Sequence, residues 1–402
     1  MSRILLAWEL GTGFGHLGPF LSLAPGLLGR GHELHVAARE ITGACNAVGS
    51  LPVAVHQAPL CLNTYSGLQE PPLNFAEILM RYGYLDPPML RAMIIAWRGL
   101  LRLTNDDLLI ADHAPTALIA ARLSGIPSAL IGTPFSVPPD THPTPNMRPW
   151  LEVPAQRLAD SDARVLAAIN AVLPAGAEPL AQISQLFSGA PRFFIGVPET
   201  DTYGTRADAT YLGLAGTNTG GILPVWPAGT GKRVFAYLRA DYPHTDAAMQ
   251  VLTASGARVI AYINGAGAAA LQRYAGQGAT VVSGRVDLEQ LFRQTDLCVT
   301  HGPGTTLVAL RLGVPVLILP QHLENFLFAQ TLQRIGVCGL LRPESDPREI
   351  AGLLAEMLRD DAYLVRVREF ADRYSSPAID TIRDRVITRI ESLAAAPVRG
   401  KA

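Results

Sequence analysis

The chain has 402 residues, and at about 100–200 residues per domain this length excludes a mini-protein or a lone binding module. Lys and Arg number 33 against 34 Asp and Glu, and the resulting net charge of −1 argues against a nucleic-acid partner. Apolar residues make up 49% of the chain and charged residues 17%, a composition that excludes disorder.

The first half of the chain alternates short apolar runs with helical patterns, which is typical of parallel strands joined by crossover helices. Residues 3–8 predict a strand, residues 11–15 a glycine loop, and residues 17–28 a helix that Pro25 is expected to kink. The further predicted elements of this half are a strand over 33–38 and a βαβ unit over 107–111, 114–124 and 128–131. One doubly wound sheet accounts for them.

The stretch between residues 213 and 232 holds six glycines and predicts a linker. The alternation then restarts, so a second parallel α/β domain is expected. Its predicted strands are 233–238, 258–263, 280–282, 297–300 and 314–319, and its predicted helices are 288–294, 306–312 and 324–335. We therefore predict domains over 1–213 and 232–376, a linker over 214–231, and a C-terminal helix within 377–402 that packs back toward the first domain.

The glycine loop lies directly between a strand and a helix, where N–H groups and the positive end of the helix dipole face any anion. Gly11, Gly13 and Gly15 do not match G-x-G-x-x-G, because the third glycine of that pattern falls on His16. A dehydrogenase is therefore the weaker interpretation. His16 is placed to take a proton from a substrate hydroxyl, and a helix-capping histidine is the alternative.

A histidine acts better as a base when a carboxylate holds its tautomer. Asp112 is the best candidate, because it ends the apolar strand that begins after Asp107, at the same sheet edge as His16. Its alternative role is the N-cap of the following helix, and the two roles are compatible.

The segment 298–320 reads C-V-T-H-G-P-G-T-T-L-V-A-L-R-L-G-V-P-V-L-I-L-P. A loop of His301 and small residues after a buried strand and before a helix predicts a phosphate site. Glu324 and Asn325 follow it, and adjacent acceptor and donor side chains suit the vicinal hydroxyls of a hexose.

With these motifs the whole chain resembles the nucleotide-sugar-dependent UDP-glycosyltransferase family, which includes plant, animal and macrolide enzymes. The resemblance implies two Rossmann-like domains facing each other across a cleft, the GT-B fold. It implies His16 as the base and Asp112 as its partner, with the acceptor bound on the N-terminal side. The implied donor contacts are His301, Gly302, Gly304, Thr305 and Thr306 at the diphosphate, Glu324 and Asn325 at the sugar, and Arg285 and Val286 beside the nucleobase.

Three departures from the family pattern stand out. The loop after His301 is one residue short, and Val308 stands where the family carries a glutamate that grips the ribose. The first strand of the second half ends in Tyr237, Leu238, Arg239 and Ala240 instead of a small-residue loop. Arg239 is expected either to supply charge to the phosphates or to be an ordinary surface arginine.

The leading hypothesis is an inverting, metal-independent hexosyltransferase that uses a UDP- or dTDP-linked sugar as co-substrate and no cofactor. The expected acceptor is apolar or lipid-like, because residues 60–105 are rich in Met, Ile and aromatic residues, although the same residues would also suit a core helix. Two alternatives are a non-catalytic sugar-nucleotide-binding or activator protein and a nucleotide-sugar 2-epimerase.

The remaining expectations concern the protein's environment. Four widely spaced cysteines signal neither a zinc site nor a disulfide framework, and no secretory or membrane-spanning segment is evident, so a cytoplasmic location is expected. Arginines flank the apolar stretch 75–97, so weak contact with a membrane surface is a further hypothesis. The sequence does not indicate an oligomeric state.

Overall fold

The computed structural model describes residues 1–214, 221–342, 344–375 and 378–395. Residues 215–220 of the predicted linker, 343 and 376 of the predicted second domain, and 377 and 396–402 of the predicted C-terminal segment lie outside the described residues. The chain divides into two compact units. Among the described residues, the first unit consists of Met1–Ile195, Thr205–Tyr211 and those from Asp380 onward, and the second of Gly196–Gly204 and those within Leu212–Ile379.

The first unit is built on a seven-stranded sheet. Its strands are β1 Arg3–Trp8, β2 Glu33–Ala38, β3 Val53–Gln57, β4 Leu108–Asp112, β5 Ser128–Gly132, β6 Arg192–Phe194 and β7 Ala209–Tyr211. All of them pair in parallel, in the order β3-β2-β1-β4-β5-β6-β7. The central strands β1 and β4 are almost entirely buried, as expected of parallel strands covered by helices on both faces.

The helices of the first unit are α1 Gly18–Gly29, α2 Ile41–Val48, α3 Phe75–Met80, α4 Pro87–Thr104, α5 Pro115–Leu123, α6 Ala155–Val172 and, from the end of the chain, α14 Ile379–Ala394. Helix α1 continues through Pro25. Helix α14 lies against α1, where a Cβ on Gly26 would clash with Cδ1 of Ile387, and Arg30 of the first unit forms ion pairs with Asp384 and Glu391.

The apolar stretch expected at the acceptor mostly forms core. Phe75, Leu79, Tyr84, Met93 and Trp97 are at most 3% exposed and pack into the main hydrophobic cluster of the first unit. Ile95 on α4 is 59% exposed. For most of these residues the structure therefore agrees with the core-helix interpretation.

The second unit is built on a six-stranded parallel sheet in the order β10-β9-β8-β11-β12-β13. Its strands are β8 Arg233–Arg239, β9 Arg258–Asn264, β10 Thr280–Val282, β11 Leu297–Thr300, β12 Val316–Ile318 and β13 Cys338–Leu340. Its helices are α7 Thr245–Ala254, α8 Ala268–Gly276, α9 Leu288–Phe292, α10 Pro303–Arg311, α11 Leu323–Arg334, α12 Glu349–Arg359 and α13 Asp361–Arg373.

Helix α10 begins three residues earlier than the sequence predicts. Gly302 is its N-cap and Pro303 occupies its first turn, where a missing N–H group costs nothing and the fixed φ angle favours a helix. Gly304, Thr305 and Thr306 therefore belong to the first helical turn and not to a loop. Among the described residues, no helix is long and apolar enough to cross a membrane.

Candidate active site

His16 and Asp112 meet at the carboxyl edge of the first sheet. His16 lies in a turn of 3-10 helix after β1, and Asp112 is the last residue of the neighbouring strand β4. Nδ1 of His16 is 3.0 Å from Oδ1 of Asp112, and the two side chains are 10% and 2% exposed. An ionised carboxylate can only accept a hydrogen bond, so this contact places the proton on Nδ1 and the lone pair of neutral His16 on Nε2.

Two glycines make room for this pair. Gly11 has a φ of +83°, and a Cβ there would lie 2.5 Å from Nε2 of His16. Gly132 ends β5 with a φ of +114°, and a Cβ there would lie 2.6 Å from Oδ1 of Asp112. The indole of Trp8 stacks on the imidazole of His16, with ring centroids 5.2 Å apart and an angle of 22°. The position of both side chains is therefore determined by packing as well as by their hydrogen bond.

His16 and Asp112 are not the N-cap residues of the helices that follow them. The N-cap of α1 is Leu17 and that of α5 is Ala114, and neither helix receives a side-chain cap from its N-cap residue. The carboxylate of Glu9 instead accepts hydrogen bonds from the backbone N–H of Thr116, at 2.9 Å, and from its hydroxyl. Glu9 is 1% exposed, and burial raises the pKa of its carboxyl from 4.5 to about 7 despite these bonds. Sequence reasoning missed this residue, because the side chain that caps α5 lies more than 100 positions before it.

His113 is a second histidine beside the pair. It has a left-handed backbone with a φ of 47°, and its carbonyl accepts a hydrogen bond from the N–H of Leu10, which joins the glycine loop to the end of β4. Its ring lies between those of His16, Phe75 and Phe135, at centroid distances of 6.2 to 6.4 Å. Burial lowers the pKa of His113 to about 3, so this imidazole is neutral.

His301 occupies the corresponding position in the second sheet, directly after the central strand β11. Its Nδ1 is 2.6 Å from the carbonyl oxygen of Leu319, and the backbone N–H of Arg239 donates to its Nε2 at 3.0 Å. The side chain is 5% exposed, and burial lowers the pKa of the imidazole to about 4. His301 is therefore neutral, and both of its ring nitrogens bond to backbone groups of the same unit.

Gly302, Gly304, Thr305 and Thr306 form the start of α10, and Asn325 approaches it. A Cβ on Gly302 would lie 2.7 Å from Nδ2 of Asn325, so the glycine allows this buried side chain on α11 to approach. Thr306 donates to the carbonyl of Gly302 at 2.8 Å. Glu324 is next to Asn325 in the first turn of α11.

The side chain of Arg239 points to a carboxylate. Its guanidinium forms a two-point ion pair with Asp241, and the hydrogen bond to Arg239 is the main cause that lowers the pKa of Asp241.

The carbonyl of Arg285, which is predicted at the nucleobase, accepts a hydrogen bond from Ile222 at 2.8 Å, and Val286 is 5% exposed. Val308 is 2% exposed, so the position of the family's ribose-binding glutamate is part of the packed interior here.

Residues 248–388 match the family model described as the C-terminal domain of erythromycin biosynthesis protein CIII-like proteins. No curated protein sequence matches the chain. Among solved structures, the glycosyltransferase VinC in complex with dTDP is 19% identical and has a TM-score of 0.67, with 98% of this chain and 99% of VinC covered.

Two further glycosyltransferases have the same fold. The spinosyn rhamnosyltransferase SpnG is 18% identical with a TM-score of 0.66, covering 98% of this chain and 100% of SpnG. SsfS6 from Streptomyces sp. SF2575 is 17% identical with a TM-score of 0.64, covering 97% of this chain and 100% of SsfS6. The predicted family resemblance and the predicted fold class are confirmed, and the predicted enzyme class agrees with both kinds of comparison.

Proposed function

Because the chain has the fold of these glycosyltransferases and its residues 248–388 belong to the EryCIII-like C-terminal domain family, we propose that it is an inverting glycosyltransferase. It moves a hexose from a nucleoside-diphosphate sugar to a hydroxyl of an apolar small molecule or lipid. The observation that carries this proposal is the hydrogen bond of 3.0 Å between His16 and Asp112 at the carboxyl edge of the first sheet.

In the proposed reaction, Nε2 of His16 takes the proton of the acceptor hydroxyl. The acceptor oxygen attacks the anomeric carbon of the donor, the bond from that carbon to the phosphate oxygen breaks, and the nucleoside diphosphate leaves with the electron pair. Asp112 holds the Nδ1–H tautomer and stabilises the imidazolium that forms, as carboxylates do beside catalytic histidines. Attack from the face opposite the leaving group inverts the anomeric centre.

The donor is proposed to bind at the start of α10. The first N–H groups of a helix have no partner within the helix, and with the helix dipole they attract a diphosphate. The proposal therefore assigns the leaving charge to the backbone of Gly302, Gly304, Thr305 and Thr306 and involves no metal ion or other cofactor. Glu324 and Asn325 are assigned to the sugar, Arg285 and Val286 to the nucleobase, and Arg239 to an accessory charge that Asp241 partly neutralises.

The proposed donor carries either uridine or deoxythymidine. VinC has been solved in complex with dTDP and SpnG in complex with thymidine diphosphate, and SpnG has also been solved in complex with the spinosyn aglycone. These complexes support a nucleotide-sugar donor and a natural-product acceptor for this chain.

The test uses a second His–Asp pair in the same sheet as a matched control. His35 and Asp106 are also 3.0 Å apart between Nδ1 and Oδ1, but Asp106 lies before β4, at the opposite edge of the sheet from Asp112. We expect His16→Ala and Asp112→Asn to lower kcat by about 10²–10⁴ with unchanged affinity for dTDP, and Asp106→Asn to keep kcat. Turnover of dTDP- and UDP-sugars is followed with and without acceptor.

Each outcome of this assay has a distinct meaning. If His16→Ala turned over at nearly the wild-type rate, His16 would not be the general base. Nucleotide binding without transfer or hydrolysis would favour a binding or activator protein. Release of an isomerised sugar without acceptor would favour a 2-epimerase.

A further inference from the structure

The ring of His301 joins the ends of three neighbouring strands. His301 follows β11, which lies between β8 and β12 in the sheet. Its Nε2 accepts from Arg239, the last residue of β8, and its Nδ1 donates to Leu319, the residue after β12. One side chain therefore links the two strands that flank its own, at the edge of the sheet where α10 begins.

The bonding pattern leaves one protonation state for this ring. The carbonyl of Leu319 can only accept, so Nδ1 carries the proton, and the N–H of Arg239 can only donate, so Nε2 carries the lone pair. Tyr242 covers the imidazole edge to face, with ring centroids 4.8 Å apart. A neutral imidazole with both nitrogens occupied offers neither a charge nor an N–H group to a phosphate.

We propose that His301 is a positioning residue, which holds the turn after β8 and the end of β12 against the start of α10, and that it does not itself bind the donor diphosphate. This inference rests on the proposed donor site at α10. The turn that it holds begins at Arg239, whose carbonyl accepts hydrogen bonds from Tyr242 and Thr245. Loss of the ring would free this turn beside the first N–H groups of α10, so donor affinity would fall without the loss of a direct contact.

The first measurement is the ¹⁵N spectrum of the imidazoles in the full-length protein. We expect His301 to show a neutral ring protonated at Nδ1 from pH 5.5 to 8, and to keep these shifts when dTDP or UDP is added. An imidazolium, or a ring protonated at Nε2, in either state would overturn the proposal. The spectrum of the free protein tests it even if no nucleotide binds.

The second measurement is the affinity for dTDP between pH 5.5 and 8 by calorimetry, for the wild type, His301→Asn and the control His244→Asn in the same turn. The charged and titratable groups around His301 are Arg239, Asp241, Tyr242 and His322, and all remain in each variant. We expect His301→Asn to weaken binding about tenfold or more at every pH, with a curve parallel to that of the wild type, while His244→Asn binds normally.

A diphosphate contact through His301 predicts a different result. The wild type would then gain affinity as the pH falls, relative to His301→Asn, because an imidazolium would form on binding. Unchanged dTDP affinity of folded His301→Asn would also overturn the proposal, because it would leave the ring a purely structural role. If the wild type binds neither dTDP nor UDP, the proposed function fails, whatever the imidazole spectrum shows.

Discussion

Two glycines, which carry no reactive group, leave the space that His16 and Asp112 occupy. Gly11 and Gly132 each have a backbone conformation that favours glycine, and each faces the side chain of a partner that a methyl group would displace. Glycine is required at such a position for two reasons, because it adopts the positive φ angle and because it has no Cβ. These two requirements can be separated by experiment.

Gly132→Ala is expected to lower kcat at least tenfold, because the new Cβ would push the carboxylate of Asp112 away from His16. It should also cost about 1–3 kcal/mol of stability through backbone strain. Gly176→Ala is the control, since Gly176 has a φ of +84° and nothing within 4 Å of a Cβ. That variant should lose stability alone. The kcat values of both variants are measured together with their unfolding midpoints. Equal kcat values would show that catalysis does not depend on Gly132.

At the scale of elements, the start of α5 depends on a side chain from the end of β1. Glu9 is buried and accepts hydrogen bonds from the first turn of α5 through Thr116. The hydroxyl of Thr116 also meets that of Tyr84 at 2.9 Å. The network fixes the helix that follows Asp112 and His113.

Stability is expected to depend on the pH through Glu9. Its pKa of about 7 in the native state exceeds 4.5 in the unfolded chain, so the native state holds this proton more tightly. Glu9 therefore contributes roughly 3 kcal/mol to the free energy of unfolding below pH 4.5. This contribution is lost as the pH rises through 7. Glu9→Gln should remove this slope from urea unfolding measured between pH 4.5 and 8.

Glu77→Gln provides a control, because the stability that Glu77 contributes changes with pH in the opposite direction. Burial opposes ionisation of Glu77, but hydrogen bonds from Arg157, Leu73 and Ser161 together lower its pKa. The stability from Glu77 is therefore present above pH 4.5 and is lost as the pH falls. If Glu9→Gln showed the same pH profile as the wild type, Glu9 would be ionised in the native state throughout this range.

At the scale of the whole molecule, the two sheets use the same construction for different purposes. In each unit a histidine lies after a central strand and bonds to the end of at least one neighbouring strand, Asp112 for His16 and both Arg239 and Leu319 for His301. His16 bonds to a carboxylate through Nδ1, whereas His301 bonds to backbone groups through both nitrogens. The first arrangement suits proton transfer, and the second holds the sheet edge in place.

The second unit also predicts tolerance toward the ribose of the donor. Val308 is buried where the resemblance places a ribose-binding glutamate. A hydrogen bond to a charged group contributes about 1.5–3 kcal/mol, so without one UDP and 2′-deoxy-UDP should bind within about tenfold of each other. Calorimetry with this matched pair isolates the 2′-hydroxyl. Strong preference for UDP would mean that another residue grips the ribose.

Val308→Glu is not a clean complement to that experiment. Because Val308 is 2% exposed on α10, a glutamate there would place an unpaired carboxylate in the interior. We expect this variant to lose stability instead of gaining ribose selectivity.

The sequence by itself determined the α/β class, the two parallel sheets and the meeting of His16 with Asp112 at a sheet edge. Strand and helix periodicities are local, and the carboxyl ends of parallel strands necessarily meet at one edge, which was enough to bring His16 and Asp112 together. The start of α10 was misjudged by three residues, because Pro303 and Gly304 resemble a loop until Gly302 is seen as the N-cap.

Only the tertiary structure decided what each side chain touches. The cap of α5 by Glu9, the space that Gly132 leaves for Asp112 and the two backbone partners of His301 all join residues distant in the chain. Motif spacing says which residue types lie near a strand end, but hydrogen-bond partners depend on the pairing of neighbouring strands. The resemblance therefore placed His301 at a phosphate site, while its position between β8 and β12 determined which atoms its ring contacts.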